Sequence, residues 1–507
     1  MPRPKVRTYG KKKCIDAACT IFGEESPSLI SSSGTVRDPL SDVTSQLSKL
    51  NVQHEEVDND EDDWLPSNGS EVTGQHHQVN SESQGQSHKR SIDASDQSST
   101  RAIYDGSVAY TASSDDSSIK ELSLDDIVLK PLTETYKKDR GYSLRITNWD
   151  DLIPQGADVE KIAEASFAEV YRVSIDGQSS ILKLMQLKIP SDPLSATSKS
   201  AIEVETVVSE IRLMNALTEH PGFVTFKEAH LVRGKPCPAI IRAYCNCRKW
   251  SPANGTSEFP NPQFFLPNAL FLVIELGDAG IVLDDVPVQN IHQLWDIFIG
   301  VIISLGCAEL WFKFEHRDLH ESNICIKFGE PKPIDGENPS QKYGLSGIRT
   351  TIIDYGLSRA TLQNDDRVYY DMDSDLAIFH GSPGHTQFDT YRRMRSHLFT
   401  GERKMHPKAW HDEQSKAWNE GHTWREYIPY TNVLWIKYLL GYLKKNFRDS
   451  GGNLEDLRRF EKDTTELKRR LDPRTLVKNG AFTSAIDVSI YVQDMEWITD
   501  TQITELD

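Results

Sequence analysis

The chain has 507 residues, of which 57 are Lys or Arg and 75 are Asp or Glu, so its formal net charge is −18. This acidity disfavours a protein that holds nucleic acid by its phosphates, which needs clustered basic residues, and it favours a basic partner or substrate. Seven cysteines are too few and odd in number for a disulfide framework, and no uninterrupted apolar run reaches the roughly 18 residues of a membrane span. We therefore expect an intracellular protein that does not span a membrane.

Residues 1–120 differ in composition from the rest of the chain. They carry 12 basic against 19 acidic residues and one of the ten tryptophans, and they are rich in Ser, Asp, Gln and Asn. Such a segment buries too little apolar surface to offset the entropy lost on ordering, so we predict a disordered tail. Its start, residues 5–13, is a basic cluster around Tyr9, typical of a nuclear-import or chromatin-contact peptide.

Residues 121–507 have the periodicity of a folded domain. Apolar and β-branched runs on both sides of Asp176 and Gly177 predict a β-hairpin, and Leu270–Leu276 reads as a buried strand. Helical spacing of apolar residues recurs at Ala201–Leu217, Ile291–Phe314, Thr431–Asn446 and Leu454–Leu471. Strands first and helices afterwards predict an α+β fold of two lobes, a small β-rich N-lobe at about 145–276 and a larger α-helical C-lobe at about 281–507.

The strongest chemical signal is the run HRDLHESN, from His316 to Asn323, between an apolar helix and a short strand. Asp354 follows at the end of another strand, in the triplet Asp-Tyr-Gly. Phosphoryl transfer from ATP needs one carboxylate to orient and deprotonate the attacking hydroxyl, and oxygen ligands for Mg²⁺. We predict that Asp318 is the first carboxylate and that Asn323 and Asp354 are the Mg²⁺ ligands.

The nucleotide site should come from the upstream half of the domain. Lys183 lies in a mostly apolar strand, where a lone ammonium group would be costly to bury. Its predicted partner is Glu210 on the following helix, with Glu203 and Glu205 less well placed. A Lys–Glu pair of this kind holds the α/β-phosphates in protein kinases. Backbone groups near Glu275–Ala279 are expected to take the adenine.

These residues closely resemble those of the haspin family of eukaryotic-type protein kinases. The likeness extends from about Asn148 to the C-terminal region. Its motifs are residues 316–323, with His320 where most serine/threonine kinases have Lys, DYGLSR at 354–359, QFDTYR at 387–392 and WREYIPYTNVLW at 424–435.

The resemblance implies an ATP- and Mg²⁺-dependent protein serine/threonine kinase, acting in the nucleus on mitotic chromosomes. Its substrate would be the threonine third from the N-terminus of the histone H-three tail. No Ala-Pro-Glu closes an activation segment, and the family is thought to be active without phosphorylation there, which would leave Arg317 without a phosphate partner. Asp389 resembles the buried aspartate that braces the catalytic loop in kinases. The peptide around Tyr9 resembles the basic-tyrosine motifs of cohesin-associated proteins, so we expect chromatin-associated and cohesin-linked partners, without sequence-specific nucleic acid binding.

The resemblance also assigns contacts in the cleft. The predicted nucleotide-binding residues are Ile162, Ala163, Ala165, Phe167, Val170, Lys183, Glu275, Leu276, Gly277, Asp278, Asn323 and Asp354, and the predicted substrate-binding residues are His320, Asp278 and Asp284. The glycines of the usual G-x-G-x-x-G loop are all alanine here, at 163, 165 and 168. Glycine permits positive φ and close backbone approach, so we expect weaker or slower nucleotide handling, though not its loss. Further carboxylates that could receive a basic tail are Asp285, Asp365, Asp366, Asp371, Asp373 and Asp375.

Two other functions remain open from the sequence. Small-molecule phosphotransferases of the choline- or aminoglycoside-kinase type also use a D-L-H-x-x-N loop and an aspartate before an aromatic residue, which His320 and Tyr355 would fit. Arg317 and the C-terminal motifs favour the protein kinase. A pseudokinase scaffold is the third interpretation, because the phosphate loop lacks glycine.

Overall fold

The computed structural model describes residues 123–165, 167–247, 257, 259–331, 340–418, 421–499 and 502. The predictions made for the tail at 1–120, its disorder and the basic cluster at 5–13, lie outside these residues. The described chain forms a β-rich N-terminal lobe followed by a helical C-terminal lobe, so the predicted α+β, protein-kinase-like fold of two lobes is confirmed.

The strands belong to one large sheet, one small sheet and a hairpin. The large sheet has the order β1-β5-β6-β4-β3-β2, in which β1 runs parallel to β5 and the other neighbours are antiparallel. In the C-lobe, β7, β8 and β9 form the small sheet, and β10 pairs with β11. The strands are β1 (Arg145–Thr147), β2 (Asp158–Glu164), β3 (Glu169–Ile175), β4 (Gln178–Gln186), β5 (Phe226–Arg233), β6 (Leu270–Leu276), β7 (Ile281–Val282), β8 (Ile324–Lys327), β9 (Arg349–Ile352), β10 (Arg359–Thr361) and β11 (Arg367–Tyr369).

Helices surround the large sheet in the N-lobe and make up most of the C-lobe. They are α1 (Leu124–Arg140), α2 (Trp149–Leu152), α3 (Pro193–Thr197), α4 (Val204–Leu217), α5 (Pro238–Asn246), α6 (Ile291–Phe312), α7 (Thr386–Thr400), α8 (Tyr430–Asp449), α9 (Leu454–Asp463), α10 (Thr465–Leu471) and α11 (Ala485–Asp494). The segment predicted as one helix at Leu454–Leu471 is therefore two, α9 and α10, which meet at Thr464.

The predicted hairpin is the turn between β3 and β4. Asp176 and Gly177 both have positive φ, 52° and 79°, as a two-residue turn requires when it matches the twist of the flanking strands. Asp tolerates this left-handed conformation better than most residues, and Gly adopts it freely. The turn fixes the register in which Lys183 of β4 lies opposite Val170 of β3.

Helix α1 precedes the N-lobe sheet and was not predicted. It begins with a capping box, in which the Ser123 hydroxyl accepts from the Asp126 amide, and ends at Gly141 with φ 80°. Its buried face includes Leu129 and Leu132 and packs against α4. The helix therefore supports the element that carries Glu210.

Helix α6 is the core of the C-lobe. The Asn290 side chain caps its start, accepting from the His292 amide at 2.8 Å. Among the described helices, α6 is the one long and apolar enough to cross a membrane, yet most of it is buried inside the lobe, as the core helix of a globular domain is. Helix α6 is followed directly by the segment that begins at Glu315 and contains the predicted catalytic residues.

Candidate active site

The catalytic loop, residues 315–323, leaves α6 and is held by a buried asparagine of α8. Asn432 accepts from the His316 amide at 3.1 Å and donates to the Phe314 carbonyl at 2.8 Å. The expectation that Asp389 braces this loop is wrong. Asp389 is only partly buried and pairs with Arg392 of its own helix at 2.6 Å.

Asp318 lies at the bottom of the cleft with 8% of its surface exposed. Its side chain accepts a hydrogen bond from the Tyr391 hydroxyl, and its carbonyl accepts from the Asn323 amide group at 2.8 Å. Burial is the main cause that raises the pKa of this carboxyl, and the hydrogen bond from Tyr391 opposes it. A buried carboxylate with a raised pKa has the properties of a general base.

Asn323 and Asp354 line the same cleft, and the two segments that carry them are joined by a backbone hydrogen bond. The Ile353 amide donates to the Asn323 carbonyl at 3.0 Å, which joins the end of β9 to the catalytic loop. Asp354 has a positive φ of 63°, and its carboxylate accepts from the Gly356 amide at 3.2 Å. The donor set is one carboxylate and one amide, and these hard oxygen ligands fit Mg²⁺.

Tyr355 keeps Asp354 turned toward the cleft. Its ring is buried edge-on against Phe314 and His316, with centroids 6.2 and 6.1 Å apart. Its hydroxyl donates to the Ile352 carbonyl at 3.0 Å and accepts from the Val224 amide at 3.2 Å. The hydroxyl that distinguishes Tyr from the usual Phe is thus satisfied inside the core.

Lys183 and Glu210 form the ion pair that the sequence predicted. The ammonium group donates to the Glu210 carboxylate and lies 3.9 Å from the Asp354 carboxylate. Burial raises the pKa of Glu210, and the charge of Lys183 opposes that shift. Of the competing carboxylates, Glu203 pairs with Lys188 at 2.8 Å and Glu205 is exposed.

The alanine-only phosphate loop adopts a conformation that alanine can hold. The Ala165 amide donates to the Ala168 carbonyl at 2.5 Å, which closes the turn between β2 and β3. Among its described residues, which exclude Ser166, none has positive φ. The expected penalty for missing glycines therefore does not arise from backbone strain in this conformation.

A buried cation ties the two strands of this loop together. Lys161 of β2 contacts Glu164 at 2.7 Å and Glu169 of β3 at 2.5 Å, and it lies 4.2 Å from the centre of the Tyr244 ring. Tyr244 belongs to α5, which packs on β2. The loop is therefore fastened to the lobe by charge pairs, a feature that the sequence analysis missed.

Most of the predicted nucleotide residues line one cleft. They are Ala163, Ala165, Phe167, Val170, Lys183, Leu276, Gly277, Asn323 and Asp354, together with Asp318. Apolar or small side chains that were not predicted complete the walls, including Ile181, Met185, Thr206, Met214, Ile353 and Leu357. The alternation of β4 could have identified Ile181 and Met185, because residues two positions from Lys183 share its face.

Three predicted nucleotide residues do not line this cleft. Ile162 is buried among apolar neighbours. The Glu275 side chain accepts from the Ser180 hydroxyl at 2.5 Å, so a contact of Glu275 with adenine would come from its backbone, as was predicted for residues 275–279. The Asp278 side chain is fully buried and accepts from the Gly280 amide at 2.6 Å, so it shapes the loop after β6.

The predicted substrate residues divide in the same way. Asp278 is excluded by its burial. His320 is 0% exposed, and its ring accepts from the Ser322 amide at 3.2 Å, so the side chain holds the catalytic loop and presents no surface to a peptide. Asp284 is exposed, and it lies near Glu321, a half-buried carboxylate that the sequence analysis missed.

The short segment after Asp354 is tied to the N-lobe by charge. Asp366, in the turn between β10 and β11, accepts from Arg212 of α4 at 2.8 Å and lies 3.3 Å from Lys138 of α1. Arg212 also pairs with Asp139 at 2.8 Å. Because α4 carries Glu210, these contacts stabilise the position of the Lys183–Glu210 pair.

Comparison with known proteins agrees with the kinase-like arrangement of this site. A family model described as Haspin like kinase domain matches residues 41–490. The chain is 28% identical to the serine/threonine-protein kinase haspin homolog of Drosophila melanogaster over 61% of this chain and 52% of that protein. It is 30% identical to the serine/threonine-protein kinase haspin of Bos taurus, over 55% of this chain and 33% of that protein. The chain thus spans about half the length of the first relative and a third of the second.

Proposed function

The chain belongs to the haspin-like kinase family, and on that premise we propose that it transfers the γ-phosphoryl group of ATP to a threonine hydroxyl of a protein. The family resemblance expected from the sequence is confirmed by the match over most of the chain. The observation that carries the proposal is the convergence of Lys183, Asp318, Asn323 and Asp354 on one cleft.

Each side chain has a role in the proposed reaction. Asp318 orients the attacking hydroxyl and accepts its proton, which its raised pKa favours. Lys183, fixed by Glu210, binds the α/β-phosphates. Asn323 and Asp354 hold Mg²⁺, which neutralises charge on the phosphates when it is bound. The apolar side chains of the cleft, among them Ile181, Met185 and Leu357, would pack against the nucleotide.

A basic peptide is the proposed substrate, with the threonine third from the N-terminus of the histone H-three tail as the acceptor. Support comes from Asp284 and Glu321 at the edge of the catalytic loop, where two carboxylates would attract the cations of a histone tail. Of the other predicted carboxylates, Asp366 and Asp373 are engaged by Arg212 and Arg395.

The tail and the site of action complete the proposal. The basic cluster at residues 5–13 would direct the protein to the nucleus and to chromatin, including cohesin-linked partners. Imaging of the full chain and of a chain that lacks residues 5–13 tests this step. Equal enrichment of both on mitotic chromosomes would contradict it.

The test of the activity is a labelling experiment with γ-labelled ATP and Mg²⁺. The full chain is incubated in parallel with the histone H-three tail peptide, choline and an aminoglycoside, and Asp318→Asn serves as the matched inactive variant. We expect label in the peptide threonine and none with the variant. Label only in a small alcohol would identify a small-molecule kinase, and no label or nucleotide binding with any acceptor would support a scaffold.

A further inference from the structure

Two side chains of α7 contact the Asp318 carboxylate. The Tyr391 hydroxyl donates to Asp318 Oδ1, and Gln387 Nε2 donates to the Tyr391 hydroxyl at 3.0 Å. The Gln387 side chain also hydrogen bonds to Asp318. Gln387 and Tyr391 are four residues apart, so they project from the same face of the helix. They reach the carboxylate from a segment 73 residues away in the chain from Asp318.

His320 does not take over this contact. It occupies the position where most serine/threonine kinases have Lys. Its Nδ1 accepts from the Ser322 amide at 3.2 Å, and its Nε2 is 3.6 Å from Asp318 Oδ1, which is beyond hydrogen-bond length. The carboxylate is therefore held by Tyr391 and Gln387 of α7, together with the Asn323 side chain of the catalytic loop.

Tyr391 is a permanent part of the site because it cannot leave without repacking the lobe. The side chain is 0% exposed and lies between the rings of Phe388 and Trp435, with centroids 6.2 and 5.4 Å away. Arg392, the next residue, anchors the helix by donating to the Phe379 carbonyl at 2.8 Å. A carboxylate offers about four acceptor positions, so the bonds from Tyr391, Asn323 and Gln387 still leave room for a substrate hydroxyl.

We infer that Tyr391, supported by Gln387, is a positioning residue that holds the Asp318 carboxylate in the orientation that accepts the substrate proton. This inference rests on the proposed function. In the reaction, the substrate oxygen bonds to the γ-phosphorus, its proton passes to Asp318, and the bond from that phosphorus to the β–γ bridging oxygen breaks to release ADP. Tyr391 keeps its own proton throughout and acts only through Asp318.

The test compares steady-state kinetics of the full chain and of Tyr391→Phe, with Mg-ATP and the histone H-three tail peptide. The substitution keeps the ring and removes one hydrogen bond to a charged group, so kcat should fall about tenfold. Tyr391 does not line the nucleotide cleft, so the KM for ATP should stay within about twofold. Gln387→Leu should lower kcat less, and the double variant should fall no further than Tyr391→Phe, because both act on one carboxylate.

The matched control is Tyr430→Phe on α8. Tyr430 is 4% exposed, and its hydroxyl has no hydrogen-bond partner in the described part of the chain. We expect its kcat to be unchanged. An equal loss in this variant would assign the effect of Tyr391→Phe to packing and would overturn the inference.

The remaining outcomes distinguish a failure of the inference about Tyr391 from a failure of the proposed kinase function. If the unmodified chain labels the peptide and Tyr391→Phe has the same or a higher kcat, the Tyr391 hydroxyl does not assist the reaction. The inference is then wrong, and the proposed function still stands. If the unmodified chain transfers no phosphate, the proposed function fails and the inference fails with it. If Tyr391→Phe does not fold, Gln387→Leu decides, and an unchanged kcat there overturns the inference.

Discussion

Arg317 and Glu315 form an ion pair that is fully buried inside the catalytic loop. The guanidinium donates through Nε and Nη2 to the two carboxylate oxygens at 3.1 Å each. Glu315 also accepts from the Ile428 amide and the Thr431 hydroxyl, both at 2.8 Å. The resemblance had implied that Arg317 lacks a phosphate partner. In the structure, the Glu315 carboxylate supplies the negative charge that pairs with Arg317.

Loss of this pair should destabilise the domain. Glu315→Gln would leave the Arg317 charge buried without a counter-charge, and removing one partner of a buried pair costs about 3–5 kcal/mol. Chemical denaturation measures the change in unfolding free energy. The control is Glu413→Gln, since the exposed Glu413–Lys416 pair should contribute no more than about 1 kcal/mol. Equal stability of the two variants would refute the importance of the buried pair.

The contact of Asp366 with Arg212 should support activity without phosphorylation. We expect Asp366→Asn to lower kcat about two- to fivefold, because the pair is partly exposed and its contribution is correspondingly modest. Asp365→Asn is the control, since Asp365 pairs only locally with Arg367 at 2.9 Å. Phosphatase treatment should leave the parent activity intact. A large loss after that treatment would show that a phosphate, and not Asp366, fixes α4.

Ala165→Gly tests whether the alanine loop is strained. The loop turn has no positive φ among its described residues, so glycine should give no conformational advantage. We expect kcat and the KM for ATP to stay within about twofold of the parent values. A tenfold gain in kcat/KM would show that the working conformation needs glycine.

The pH dependence of stability should carry the signature of buried neutral histidines. Burial lowers the pKa of His411 to about 3 and that of His316 to about 4. A histidine in the unfolded chain has a pKa of about 6.5. The free energy of unfolding is therefore at its full value above that pH and decreases as the pH falls toward 4 and 3. The Tm should therefore drop on acidification. His411→Phe, which keeps a ring beside Phe379, should show a smaller drop, and parallel curves would contradict the assignment.

The local elements were predictable because their signals are local. The Asp176–Gly177 turn, the β6 strand and the α6 helix follow from turn chemistry and from the periodicity of a few neighbouring residues. The capping box of α1 was present at Ser123 and Asp126, and Leu129, Leu132 and Tyr136 share its buried face, but the helix is polar on average and contains Pro131, which disfavours a helix interior.

The site was predictable only in part, because some of its contacts join distant segments. The Lys183–Glu210 pair could be inferred, since a buried ammonium needs a carboxylate on the adjoining helix. By contrast, the contacts of Asn432 and Tyr391 with the catalytic loop span more than 70 residues and leave no pattern in a single sequence. His320 was wrongly predicted to bind substrate, because its burial depends on the same tertiary packing and cannot be read from the sequence.

The most direct measurement is quantitative mass spectrometry of phosphate on the histone H-three tail peptide, with the full chain, Lys183→Ala and Asp354→Ala. We predict stoichiometric transfer to the third residue by the parent chain. We predict a loss of about a hundredfold or more for each variant, because each removes charge stabilisation from the transferring group. The Tm should be unchanged for Asp354→Ala, whose side chain is partly exposed, and lower for Lys183→Ala, which leaves Glu210 buried without its counter-charge. Transfer by Asp354→Ala at the parent rate would contradict the claim that these side chains act together on one bound nucleotide.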